Sequence, residues 1–329
     1  MTSRILFLCG LLFFIYVSCK SDSKPTAAAG QQIDPELATL SALLEKNPND
    51  DSLLYRRAEV YYKLDGHDEA LKDLARAMQL DSMRPAYYHL LADVLIDYAR
   101  PNDSRRAIDV LKLAADRFPD RTPTLLKLSE FQLIVKQHGD ALTTLDKILR
   151  RDPQNAEAYY MAGRIALDKG DTTAAVASFQ KSVQFDATNA DAWMFLGRIY
   201  TNRNNPRALQ FFDNVLRLDS TNLEAREFKG VFYKRTGDFN NAFSTYRDII
   251  SRNPDYSNAY FDMGVIYLEL DSLTKAHNNF DIAIKTDPLF IKAYYYRGLC
   301  SELLGDNTAA LNDYKQANGM APSFEEAKE

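Results

Sequence analysis

From Asp34 onward, apolar side chains recur at offsets of three, four and seven residues, the spacing that gathers them on one face of an α-helix. The clearest stretch is Trp193, Leu196, Gly197 and Tyr200, followed after a polar break by Ala208 and Phe212. Tyr260, Met263, Gly264 and Tyr267 open the same series again, which runs on through Ala276, Phe280, Ala283 and Pro288. Tyr159, Ala162 and Gly163 open it once more, ahead of Gly170-Asp171, Ala175 and Phe179. Each series closes at an equivalent residue: Pro48, Ser82, Pro119, Pro153, Ala187, Ser220, Pro254, Pro288 and Pro322. Their successive spacings are 34, 37, 34, 34, 33, 34, 34 and 34 residues. A period held in this range predicts a stack of like supersecondary units.

The residue types say what each unit is. Gly197, Gly230, Gly264 and Gly298 fall inside first helices, where glycine costs about 1 kcal/mol relative to alanine. That cost is tolerated where two helix axes must approach closely, so the glycine marks the contact with a paired helix. Ala70, Ala107, Ala141, Ala175, Ala242, Ala276 and Ala310 supply the facing small surface. Gly170-Asp171, Gly237-Asp238 and Gly305-Asp306 join a left-handed helix stop to a helix N-cap. Asp-Pro and Asn-Pro pairs then end the second helix, because the residue before proline avoids the helical region. Each unit is therefore predicted to be a helical hairpin. Three units are irregular. The second carries three extra residues around 98–103, expected to lengthen its turn. The fifth is one residue short at 204–206, and the third has Gln132 where an aromatic is usual and packs Phe131 instead.

This large–small–aromatic pattern on a first helix, with small–aromatic–small–Pro on a second, resembles the tetratricopeptide repeat. The resemblance covers residues 51–324 as eight units: 51–84, 85–121, 122–155, 156–189, 190–222, 223–256, 257–290 and 291–324. It implies an all-α fold, a right-handed superhelical α-solenoid of hairpins. Residues 34–50 match only a second helix and are expected to cap the N-terminal end as a half-repeat. Residues 325–329 form a short tail. At that end Ala309, Ala310, Leu311, Tyr314, Ala317 and Met320 are either left partly bare, favouring self-association, or covered by a turn through Phe324 and Ala327.

The first residues read differently. Arg4 precedes an apolar run from Ile5 to Val17, too short to cross a membrane as a helix and typical of a secretory signal, placed here at 1–18. Tyr16-Val17-Ser18-Cys19 resembles a bacterial lipobox, whose cysteine becomes the lipidated N-terminus, although Tyr16 stands where leucine is usual. The alternative is an unmodified Cys19 thiol beside an ordinary cleavage site. Residues 19–33 are small and polar and read as a flexible tether. The resemblance implies a bacterial lipoprotein attached to the membrane through its N-terminal lipid. Lys20 after the cysteine favours the outer membrane, with the side it faces left open.

Composition then narrows the function. The chain of 329 residues has a formal charge of −5, which argues against nucleic acid as a partner. Its four histidines and three cysteines are too few and too scattered for a zinc cluster or disulfide framework, and no cofactor or metal is expected. No carboxylate pair, nucleophile–base set or phosphate-binding loop has catalytic spacing, and the repeats leave no room for a separate catalytic segment. An interaction scaffold is expected, with envelope assembly, secretion or transport, or an enzyme's accessory subunit, as the alternative.

The resemblance implies a partner protein or peptide on the concave face lined by first helices, at positions five and nine of each unit. Position five offers Tyr55, His89, Tyr160, Met194, Phe261 and Tyr295, along with Leu126 and Glu227. Position nine offers Glu59, Asp93, Glu130, Arg164 and Arg198, then Val231, Val265 and Leu299, so the row runs from acidic through cationic to aliphatic. Arg164 and Arg198 are expected to meet carboxylates on a bound segment. Chaperone-tail adaptors of this family clamp a terminal carboxylate with Lys and Asn in the first unit; Tyr55 and Glu59 stand there instead, so that clamp is absent.

Overall fold

The computed structural model describes residues 34–321. The signal, Cys19, the tether, Phe324, Ala327 and the 325–329 tail lie outside the described residues. The chain divides into two compact units, one ending at Leu80 and one beginning at Asp81. In the first, α1 (Pro35–Lys46) packs on α2 (Asp51–Lys63), which pairs with α3 (His67–Leu80).

The second unit is a run of seven hairpins among the described residues. These are α4 (Pro85–Tyr98) with α5 (Asp103–Arg117), α6 (Thr122–Ile134) with α7 (His138–Leu149), α8 (Ala156–Asp168) with α9 (Thr172–Phe185), and α10 (Ala190–Asn202) with α11 (Arg207–Leu218). They continue as α12 (Leu223–Arg235) with α13 (Phe239–Arg252), α14 (Ser257–Glu269) with α15 (Leu273–Thr286), and α16 (Ile291–Leu303) with α17 (Asn307–Met320). From α4 to α17 each helix packs on its sequence neighbours within the unit, and no strand occurs among the described residues.

The turns work as the sequence implies, with additions. Gly170, Gly237 and Gly305 have φ of 79°, 75° and 87°, and the carboxylates of Asp171, Asp238 and Asp306 accept the N–H of Ala174, Asn241 and Ala309. Asp65, Lys136, Asn204 and Asp271 hold the same left-handed place in other hairpins without being glycine. At the far end of the hairpin, proline is not what breaks the second helix. Asp186 and Asp219 precede Ala187 and Ser220, yet they leave the helix at φ −135° and −137°, as Asp287 does before Pro288 at −134°. The common device is the Asx turn: Asp186, Asp219 and Asp287 each accept the N–H two residues on. The extra residues of the second hairpin are also shared out rather than confined to its turn. Relative to α8 and α9, with 13 and 14 residues, α4 and α5 have 14 and 15, and the turn 99–102 gains the third.

The glycines mark the close approach of paired helices. A Cβ placed on Gly163 would stand 2.5 Å from the Phe179 ring, and those on Gly230 and Gly264 would stand 2.6 Å from Tyr246 and Phe280. Gly197 sits closer still to Phe212, and Gly298 lies over Tyr314. Where the first helix carries a larger residue at this point, the second carries a smaller one. Ala58, Ala92 and Ser129 correspond to Leu74, Leu111 and Leu145, all buried. Summed volume across the pair is thus held roughly constant, as close packing demands.

A second recurrent clasp fixes one hairpin to the loop before it. Tyr88, Tyr159, Trp193 and Tyr294, all at the fourth position of a first helix, donate to the carbonyl six residues earlier, at Ser82, Pro153, Ala187 and Pro288. Arg226 makes the same bond to Ser220 with its guanidinium. Two hairpins carry a further, two-pronged tie among the described residues. Arg57 holds Asp73 by two hydrogen bonds of 2.6 and 2.8 Å, and Arg297 holds Asp313 by two of 2.9 and 2.7 Å while reaching Asp281 at 2.6 Å.

Candidate partner-binding face

First helices of successive hairpins touch one another, α4 with α6, α6 with α8, α10 with α12 and α12 with α14, whereas second helices pack chiefly on first helices. The first-helix side is therefore the inner side of this stack, and residues at positions five, six and nine project from it.

The candidate residues meet different fates there. In the first unit Tyr55 and Glu59 are half-buried on α2. On α4, the His89 Nε2 lies 2.9 Å from the Thr124 hydroxyl; burial, with Lys127 and Arg121 nearby, pushes its pKa down to about 4, so the ring is neutral at pH 7. Asp93 accepts an ion pair from Lys127 at 2.7 Å, yet burial still lifts its carboxyl above the usual range. Glu130 and Arg164, one period apart at position nine, meet at 3.4 Å. Tyr160 packs against Phe179 and Phe195 and lies under the Arg164 guanidinium.

Met194 is 8% exposed and belongs to the core, so it offers no surface to a partner. Phe261 is wedged among Phe280, Phe290 and Tyr296, and Tyr295 packs on Tyr314. Arg198 differs from the other cations of the row. It is exposed, lies over the rings of Phe228 at 5.0 Å and Phe195 at 5.9 Å, and makes no ion pair among the described residues.

Much of the predicted charge gradient is thus neutralised inside the fold. Lys234 likewise pairs with Asp262, and Glu227 accepts a 2.6 Å bond from Tyr256. Position six was missing from the sequence reading. Phe195, Phe228 and Tyr296 occupy it, and Lys127 and Asp262 supply charge there. The signal was the aromatic beside each variable position, hidden among the aromatics of the core.

Between α6, α8 and α10 this face opens into a cavity of about 440 Å³. Leu133, Ile134, Leu167 and Phe195 wall it, with Arg164, Lys136 and Asp168 at its edge. Ile134 is 49% exposed there. Lys136 and His138 both hold Asp168, whose carboxyl they keep below the usual range. Cys300 is buried, and burial pushes its thiol up to about 11, leaving it inert as a nucleophile. Among the described residues no helix is long and apolar enough to cross a membrane, and no cluster is arranged to hold a metal.

A stack of helical hairpins with a variable inner face and a conserved-volume core defines a helical-repeat interaction scaffold. Profiles of the tetratricopeptide repeat match residues 137–190, 223–256 and 261–323, so these stretches of the array are tetratricopeptide repeats. A DnaJ homolog subfamily C member 7 homolog from Dictyostelium discoideum is 22% identical over 201 residues, which cover 56% of this chain and 37% of that protein. The chain therefore spans little more than a third of that curated relative. A tetratricopeptide repeat protein from Parabacteroides merdae superposes with a TM-score of 0.57 at 20% identity, covering 73% of this chain and 96% of its own. PilW, a type IV pilus biogenesis factor, gives 0.53 at 19% identity, covering 62% and 95%. At these identities the likeness is one of fold.

Proposed function

We propose that the inner face from α6 to α12 is the docking groove of a protein-interaction scaffold, held at a bacterial cell envelope by a lipid on Cys19. One observation carries the groove: Phe195 walls the open cavity and also lies under Arg198, the position-nine cation without an ion pair among the described residues. A partner segment places a bulky apolar side chain in the cavity and a carboxylate on Arg198, whose guanidinium is already oriented by Phe195 and Phe228. The lipobox-like segment Tyr16-Val17-Ser18-Cys19 supports the anchor. PilW, which shares the fold, is a type IV pilus biogenesis factor.

Two experiments test the two parts separately. A photo-crosslinking residue at position 198, introduced in intact cells, should trap a protein partner, while one at Gln180 on α9 should not. The charge reversal Arg198→Glu should abolish co-purification of that partner. Trapping from Gln180 alone would overturn the groove. Mass spectrometry of the mature protein should find an acylated Cys19 at the N-terminus; an unmodified terminus elsewhere would remove the anchor and leave the groove untouched.

A further inference from the structure

The outer side of the stack holds a second cleft, between α5 and α7 with α6 as its floor, of about 300 Å³. It opens beside the eleventh position of the first helix, which differs between hairpins. Tyr200 and Tyr267 occupy that place on α10 and α14, where they pack on Phe211 and Phe243 of adjoining second helices. On α6 the residue is Gln132, which is shorter, and the space beside it stays open.

Gln132 is 3% exposed and lines this cleft. One end of its carboxamide accepts the Thr144 hydroxyl at 2.8 Å. The other end has no hydrogen-bond partner among the described residues. That end faces the cleft and is open to water, so a ligand seated there can take over its hydrogen bonds. The walls carry charge of both signs: Lys112 and Asp116 from α5, Asp140 and Lys147 from α7. None of these four makes an ion pair among the described residues, although they surround one cleft.

We propose that this cleft binds a small zwitterion, an α-amino acid with an uncharged side chain. The volume is at the lower end of small-molecule sites, about 300–1,000 Å³. The rim is formally neutral, two ammonium groups against two carboxylates, so an anion alone meets repulsion from Asp116 and Asp140, and a cation alone meets it from Lys112 and Lys147. A zwitterion satisfies both pairs. Its carboxylate is held by the two lysines, its ammonium by an aspartate, and its polar head completes the Gln132 amide. The site lies on the opposite side of the stack from the proposed groove and stands independently of it.

The test is ligand-observed saturation-transfer NMR on the intact chain, with glycine, L-leucine and L-glutamine as probes and acetate and ethylamine as single-charge controls. At least one amino acid should bind about tenfold or more tightly than either control. Gln132→Leu should weaken that binding about tenfold. Gln132→Tyr, which supplies the tyrosine that α2, α10, α12 and α14 carry at this position, should fill the cleft and abolish it. Lys112→Met and Lys147→Met alter only the exposed rim, keep the fold, and should each weaken binding. Absence of saturation transfer from every amino acid, acetate binding as tightly as the amino acids, or full binding by both lysine variants would each overturn the proposal.

Discussion

Replacing Gly197 with alanine should destabilise the protein, although alanine is the better helix former by about 1 kcal/mol. The new methyl would collide with the Phe212 ring, which is fully buried and stacked with Phe228 at 5.8 Å and so has little room to swing aside. Overpacking of this kind costs about 1–3 kcal/mol, enough to outweigh the helical gain. Phe212→Leu alone should also destabilise, by opening a void. Together the two substitutions rebuild the alanine–leucine pair that Ala92 and Leu111 form elsewhere in the stack. The double variant should then be about 1–2 kcal/mol more stable than the sum of the singles predicts. Urea titration followed by circular dichroism reads this directly, and strict additivity would refute the volume-exchange account. Gly139→Ala is the control: nothing lies within 4 Å of its Cβ position, and its effect should stay within about 0.5 kcal/mol.

A different kind of loss is expected from Arg297→Met. Asp313, 7% exposed, would lose both of its guanidinium bonds, and Asp281 would lose one. Breaking a fully buried pair costs about 3–5 kcal/mol; with Arg297 partly exposed, about 2 kcal/mol is expected. Because each hairpin leans only on its neighbours, the loss should stay local. Hydrogen exchange across α16 and α17 should quicken by about 30-fold, the equivalent of that energy, while amides of α8 to α11 keep their protection. Arg297→Lys should recover less than half, since an ammonium cannot form the two-pronged bond. A uniform change along the chain would contradict the local reading.

The hairpins and their closest contacts were legible in the sequence because the period and the glycines state them outright. The turns were legible only where glycine advertised them. Asp65, Lys136, Asn204 and Asp271 adopt the same backbone because the two packed helices impose it, and nothing in those residue types demands it. The proline stops misled for a related reason: Asp186 and Asp219 show that the preceding aspartate sets the turn. On the inner face, single positions read as free charges turned out to be paired with their neighbours one hairpin away. Glu130 and Arg164 occupy the same position one period apart, so opposite charges there were a readable signal. Lys127 reaching Asp93 was not, because the two stand at different positions in their units. Met194 was misplaced for want of any sequence mark separating a core methionine from an exposed one.

The exchange of volume between paired helices also constrains how such an array can be rearranged by recombination. A crossover in the loops between hairpins, at Asn155 or Asn189 for example, carries each small residue away together with the ring that fits over it. A crossover inside a hairpin turn separates them. Joining α4 to α11 would set Ala92 against Phe212, a collision, and joining α10 to α5 would set Gly197 against Leu111, a hole. Duplication and shuffling of this gene by whole hairpins should therefore yield folded proteins, while splices within a hairpin should not.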